Sequence, residues 1–196
     1  MKQNARKKLL AICFSPRKKS NSSRLLDIAL QKAENENIEI IRYNLSEFRI
    51  DPCNACEICY DGSPCPIRDD MTPIYEHLAT ANGLFISTPV YFYNVPACAK
   101  ALIDRCQVFW ARKYLLAERL PTRPCAIIEI AASGGNRVFD GINLTIKYFL
   151  DSISIYMPKP LALRHIDCIQ EDLSTEALNS ASVYGEAFLS RFITKE

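Results

Sequence analysis

KLLAICF at residues 8–14, running directly into SPRKKSNSS at 15–23, decides how the rest of the chain is read. The unbroken apolar run from Leu9 to Phe14 is the length of a strand, and a strand without polar alternation is one buried on both faces. The polar stretch leads into Leu25, Leu26, Ala29, Leu30 and Ala33, an apolar stripe at helical spacing. Strand, polar loop, helix is the opening unit of a parallel α/β sheet.

Working outward, the same alternation recurs to the end. IEIIRYNL at 38–45, GLFISTPV at 83–90, CAIIEIAA at 125–132 and a weaker segment at 158–166 read as further strands. Thr72 as N-cap and Pro73 at the first helical position predict a second helix with Ile74, Tyr75, Leu78 and Ala79 inward. A third helix is expected from about Pro96 to Arg112, burying Cys98, Leu102, Cys106 and Phe109. A fourth carries Val138, Ile142, Ile146, Phe149, Leu150 and Ile153, and the last runs from about Leu173 to Ile193. Five strands and five helices with right-handed crossovers give an α/β, three-layer, flavodoxin-like doubly wound parallel sheet in the order 2-1-3-4-5. Residues 1–196 read as a single domain with a cysteine-rich loop insertion at about 51–70. In such sheets ligands bind outside the carboxyl ends of the strands, so the loops after strands one, three and four are the expected site.

Composition narrows the function. Lys and Arg total 24 against 22 for Asp and Glu, so no basic surplus points to nucleic acid or an acidic membrane surface. The basic residues Lys2, Arg6, Lys7 and Lys8 precede only six apolar residues, too few for a signal-peptide core or a membrane span. A reducing, cytoplasmic setting is therefore expected, in which cysteines are thiols or ligands rather than structural disulfides.

The loop after strand one offers hydroxyls at Ser15, Ser20, Ser22 and Ser23, an amide at Asn21 and a permanent cation at Arg17. At a helix N-terminus these parts make a phosphate site. Neither GxxxxGK[ST] nor GxGxxG is present, which argues against a nucleoside triphosphate cradle and a Rossmann dinucleotide grip. The plainer alternative is a solvated turn whose serines only cap the helix.

DPCNACEICYDGSPCPIRDDM at 51–71 places Cys53, Cys56, Cys59 and Cys65, four of the nine cysteines, within 13 residues. Soft donors so close together point to a metal or redox site. The spacing C-x2-C-x2-C-x5-C resembles a ferredoxin run with a longer last gap, relaxed by Gly62 and Pro64. Zinc more often takes two separated C-x2-C knuckles. A 4Fe–4S cluster, free thiols or a disulfide switch, and zinc all stay open. Cys13, Cys98, Cys106, Cys125 and Cys168 lie in apolar patterns and read as small hydrophobes.

SPRKKSNSSRLL resembles the GSPRxxSNTxxL segment of NAD(P)H-dependent FMN reductases in the flavodoxin-like superfamily. STPVYFYNVPACAKALIDR at 87–105 is similar to their SPVYFxxVPAxLKxxIDR segment, and the cysteine stretch ending in DDM looks like the branch called iron-sulfur flavoproteins. GGNRVFDGINLTIKYFLDSISI has the look of their fourth helix. The likeness runs from about residue 8 to 165.

What this resemblance implies is an FMN enzyme. Positions matching Ser15, Arg17, Ser20, Asn21, Ser22 and Ser23 hold the flavin phosphate, and those matching Pro89, Val90, Tyr91, Phe92 and Asn94 line the isoalloxazine ring. Ser133, Gly134 and Gly135 would let backbone approach the ring, against the alternative of a plain turn. Cys53, Cys56, Cys59 and Cys65 would hold a 4Fe–4S cluster, with NAD(P)H as a possible co-substrate. Phe14 departs from the family's usual Gly, and a large side chain there would alter how closely the backbone approaches the cofactor.

Hydride transfer to a flavin needs no protein acid or base, so no catalytic side chain is assigned. His77 and His165 read as structural or surface residues, and Lys100, Asp104 and Arg105 as ion-pairing or subunit-contact residues. The expected function is an FMN-dependent oxidoreductase or electron-transfer flavoprotein, with small-molecule or protein donors and acceptors. A homodimer or homotetramer is expected, with Phe109 and Trp110 near a contact surface. A cluster-free NAD(P)H:FMN or quinone reductase is the nearest alternative. A non-catalytic flavodoxin-like binding module with a zinc-stapled loop is the alternative of another class.

Overall fold

The computed structural model describes residues 6–166 and 173–194. Its strands are β1 (Lys7–Cys13), β2 (Ile38–Asn44), β3 (Gly83–Pro89), β4 (Cys125–Ile130) and β5 (Leu161–Leu163). All neighbours pair in parallel, in the order β2-β1-β3-β4-β5, as the alternation predicts. The helices are α1 (Asn21–Leu30), α2 (Met71–Thr80), α3 (Ala97–Arg105), α4 (Gln107–Tyr114), α5 (Asp140–Ser152) and α6 (Thr175–Thr194).

The apolar run that opens the sequence has no polar side because both faces of its strand are covered. Leu10, Ile12 and Phe14 enter a core with Ile74 and Leu78 of α2, Leu102 of α3 and Ile142 and Ile146 of α5. Leu9, Ala11 and Cys13 enter a second core with Leu25 and Leu26 of α1 and Phe188, Leu189 and Phe192 of α6. Period-2 side-chain geometry thus divides one strand between two cores, and helices on both faces satisfy it.

Several local expectations need correction. Thr72 does not cap α2: Asp70 holds the N-cap position and Met71 is the first helical residue. The competing acceptor is Asp69, whose Oδ1 accepts from the Met71 amide at 3.1 Å and whose carbonyl accepts from Thr72 Oγ1 at 3.2 Å. The predicted third helix is two, broken at Cys106, whose amide is shared between Leu102 O and Ile103 O while its own carbonyl accepts from Phe109 and Trp110. Cys98 is half-buried rather than buried. β5 spans only Leu161–Leu163, and α5 starts at Asp140, beyond Val138. Lys2 and Cys168 lie outside the described residues. His77 is structural, its Nδ1 within 2.7 Å of Tyr43 Oη. No helix of the described residues is long and apolar enough to cross a membrane.

Candidate functional site

A cavity of about 1090 Å³ opens where β1, β3 and β4 end, just above the ~300–1,000 Å³ typical of cofactor sites. Its lining includes Ser15, Arg17, Ser20, Asn21, Ser22 and Ser23 on one side and Pro89, Val90, Tyr91 and Phe92 on the other. The sheet therefore brings together ten of the residues singled out in the sequence.

The phosphate-type side is built by local hydrogen bonds. Ser15 Oγ accepts from the Arg17 amide at 3.2 Å, tightening the turn after β1. Ser20 is the N-cap of α1, its Oγ accepting from the Ser23 amide at 3.1 Å. Capping is thus one of its roles, as the plainer reading holds, but Ser22 has another. The residue belongs to the cavity lining, and its Oγ is fully buried with no hydrogen-bond partner within the protein. A buried hydroxyl left this way at a helix N-terminus fits an anion that would accept from it. Arg42 of β2, which the sequence did not single out, donates to Ser23 Oγ at 2.9 Å and pairs with Asp27 at 2.6 Å. Lys18, Lys19 and Arg24 add charge to the same lining.

The opposite side is a tight turn. Tyr91 and Asn94 exchange both backbone hydrogen bonds, at 2.8 and 2.9 Å, across Phe92 and Tyr93. Both central residues are left-handed, with φ of 47° and 61°, a conformation costing roughly 1–3 kcal/mol for a non-glycine residue. Phe92 is 101% exposed, so these aromatics are not core residues. α5 holds the turn in place. Asn94 Oδ1 accepts from the Val95 amide at 2.8 Å and from Thr145 Oγ1 at 2.9 Å. Gly141 lies against the Tyr93 carbonyl so closely that a Cβ there would collide with it.

Three expectations come out differently in space. Asn94 staples the turn through its side-chain oxygen and does not line the cavity. Ser133, Gly134 and Gly135 are also absent from its lining, where Ile130, Ala132 and Ile166 stand instead. Gly134 is small because the His165 ring occupies the space a Cβ would need. Phe14 is wholly buried in the α2–α5 core, so its ring leaves the cavity clear.

A second cavity, of about 410 Å³, is ringed by Cys53, Cys56, Cys59 and Cys65 and closed by Ile103, Arg105 and Val108 from the α3–α4 junction. Burial holds the Cys59 thiol above its ordinary value, and the nearness of Cys53, Cys65 and Cys56 adds to it. A thiol held up by burial and neighbouring sulfurs is one whose thiolate a cation would stabilise. Tetrahedral zinc needs its sulfurs about 2.3 Å from one point, and among the described residues no group of three or more His, Cys, Asp or Glu could hold a metal ion. The four thiols share one open cavity and are the soft donor type that a soft metal or a cluster would require. Cys56 is exposed and the other three are half-buried, so the cavity communicates with solvent. Beside it the Ile58–Asp61 turn places Tyr60 against Trp110 of α4, ring centroids 6.0 Å apart.

The sequence also understated Arg105. Its side chain is fully buried and pairs with Asp69 at 2.7 and 3.2 Å. It further donates to Asp51 O at 2.9 Å and Ile67 O at 3.2 Å, and its Nε to Tyr75 Oη at 3.2 Å. Asp69 accepts the Asp51 amide at 2.8 Å. Burial raises the Asp69 carboxyl, but the Arg105 hydrogen bond and the Asp51 and Met71 amides outweigh it and hold the group below the usual carboxylate range. Lys100 and Asp104 form the expected ion pair, at 2.6 Å on the surface.

A parallel sheet in this order, with an anion-ready helix N-terminus at its carboxyl edge, defines a flavodoxin-like domain. The chain belongs to the NADPH-dependent FMN reductase family, whose model matches residues 7–144. It is 35% identical over 113 residues to an iron-sulfur flavoprotein of Methanosarcina thermophila, covering 58% of this chain and 59% of that protein. It is 30% identical over 97 residues to an FMN reductase (NADPH) of Escherichia coli, covering 50% and 47%. The chain spans about half the length of the curated relatives it matches. Among solved structures it resembles an NAD(P)H:quinone oxidoreductase from Methanothermobacter marburgensis, with a TM-score of 0.71, 16% identity and 96% of each chain covered. That likeness is one of fold.

Proposed function

We propose that this chain is a single FMN-binding domain with a cysteine-rich insertion at about residues 51–70, acting as an FMN-dependent oxidoreductase. It takes reducing equivalents from NAD(P)H or a reduced carrier and passes electrons on, with a 4Fe–4S cluster on Cys53, Cys56, Cys59 and Cys65 as the exit. The observation that carries this reading is the pair of cavities on one chain, one lined by an anion-ready helix N-terminus and one ringed by four thiols. The iron-sulfur flavoprotein names of several relatives support the second half of it.

FMN, when bound, supplies both two-electron and one-electron exchange, and an iron–sulfur cluster supplies one-electron exchange. This chain's residues supply the rest. Arg17, the Ser22 hydroxyl and the first turn of α1 bind the phosphate. Tyr91 and Phe92 offer flat faces to the ring, while Pro89 and Val90 keep water from its edge. Asn94 acts one step away, by fixing the turn. Ser133, Gly134 and Gly135 stand beyond this lining and would meet the ring only through movement of their loop. Assembly as a homodimer or homotetramer in the cytoplasm belongs to the same proposal.

Anaerobic purification with an absorbance spectrum and iron, sulfide and zinc assays tests it. Flavin absorbance with about four irons and four sulfides per chain is the expected result. Yellow protein without iron would leave the cluster-free reductase, and colourless protein that takes up no FMN would overturn the proposal.

A further inference from the structure

The residues that tie the roots of the cysteine loop together are not cysteines. Its two roots lie on either side of the thiols, at Asp51 before Cys53 and at Ile67 and Asp69 after Cys65. One buried guanidinium reaches both: Arg105 donates to Asp51 O, to Ile67 O and to the Asp69 carboxylate. Asp69 closes the ring by accepting the Asp51 amide. A second layer lies outside it, where Arg49 and Asp70 pair reciprocally, Asp70 N to Arg49 O at 3.2 Å and Arg49 N to Asp70 Oδ2 at 2.7 Å. None of these bonds involves a thiol.

We infer that Arg105 and Asp69 are positioning residues that clasp the cysteine loop, so that the four-thiol cavity is formed before any metal enters it. Small metal sites commonly lack a preformed ligand set, and the metal then supplies the folding energy of its own loop. Here a buried, bidentate ion pair with two further carbonyl acceptors supplies it instead. Arg suits this role and Lys does not, because only a planar fork can satisfy a carboxylate and two carbonyls from fixed directions. The inference rests on the proposed cluster only for what fills the cavity, not for the clasp itself.

The test uses the whole chain freed of metal with a chelator, and follows hydrogen exchange at the Arg49, Asp51, Asp70 and Met71 amides. In the wild type the Arg49, Asp51 and Asp70 amides, which bond from one root to the other, should stay protected without metal, and the Met71 amide, bonded to Asp69 on its own root, serves as the local reference. Arg105→Gln should raise exchange at the first three about 100-fold or more, because it leaves Asp69 buried and unpaired. Arg105→Lys should restore protection only in part, and Asp69→Asn provides a milder break should Arg105→Gln fail to fold by circular dichroism. Adding ferrous and ferric iron in equal amounts with sulfide gives a second readout: the rate at which charge-transfer absorbance returns should fall across the variants in the same order as protection. Unprotected amides in the metal-free wild type, or equal protection in Arg105→Gln, would overturn the clasp. A closed wild-type loop that takes up no iron would sink the cluster reading and leave the clasp standing.

Discussion

The turn at 91–94 and the loop at 51–70 each border a cavity, yet they are held by opposite means. The turn is short, carries two consecutive left-handed aromatic residues and is pressed into shape from outside by Gly141 and Thr145 of α5. The cysteine loop also has left-handed residues, at Ala55, Glu57 and Gly62, but it is tied at its roots by a buried ion pair and left open in the middle. One is shaped by contact and the other by charge. Under the proposed function the difference has a reason: a ring surface has to be rigid at its tip, whereas a ligand loop has to be fixed at its ends and leave its thiols accessible.

The largest expected break in this comparison is its pH dependence. Glu129 of β4 pairs in register with Thr88, just beneath the 91–94 turn, and is fully buried with neither carboxylate oxygen hydrogen-bonded. Burial pushes its pKa from 4.5 up to about 8. Below 4.5 the folded and unfolded chains both hold the proton, and this contribution to stability is complete. Between 4.5 and 8 only the folded chain holds it, so stability falls by about 1.4 kcal/mol per pH unit, roughly 5 kcal/mol in all. Asp69 behaves with the opposite sign: its depressed pKa contributes stability above the ordinary carboxylate value, and this is lost as pH falls through the folded value. Urea unfolding of the wild type and Glu129→Gln from pH 5 to pH 8 should show a falling trend that the variant largely removes. Parallel curves would mean that Glu129 finds a partner when the chain is in solution.

Next in size is Arg17→Ala, which removes a charged fork from the phosphate side. A charge-assisted hydrogen bond contributes about 1.5–3 kcal/mol, so FMN affinity should fall about 10- to 100-fold, with thermal stability nearly unchanged. Isothermal titration of the metal-free protein isolates this from the cysteine loop. Smaller still is Gly141→Ala, for which overpacking predicts a loss of about 1–3 kcal/mol. Because the collision is with the Tyr93 carbonyl, the turn must shift. Flavin affinity should weaken while exchange at the cysteine-loop roots stays as it was. A change at both places would erase the distinction between the two loops.

Much of this arrangement was legible in the chain. An apolar run followed by a polar loop and a helical stripe fixes a strand, its direction and the loop at its carboxyl end, because burial on both faces leaves no other pattern. What escaped depended on partners distant in sequence. The α2 cap was assigned to Thr72 by local rules, but Asp69 competes for it with help from Arg105, 36 residues away. No Gly or Pro marks the break at Cys106, which the sequence alone therefore hides. Phe92 and Tyr93 disfavour the conformation they adopt, and only α5 explains it. Nothing in the sequence marks Gly141, whose meaning lies in the carbonyl it faces.

The chain has a single tryptophan. Trp110 sits on α4 against Tyr60, at the flank of the cysteine loop and away from the residues lining the flavin-type cavity. Its emission is thus a built-in gauge of one loop: when the turn at 58–61 lifts, the indole loses Tyr60, keeps Tyr114 of its own helix and gains water. Opening of the thiol cavity can be timed in unlabelled protein by stopped-flow fluorescence, with the 91–94 turn contributing no indole of its own.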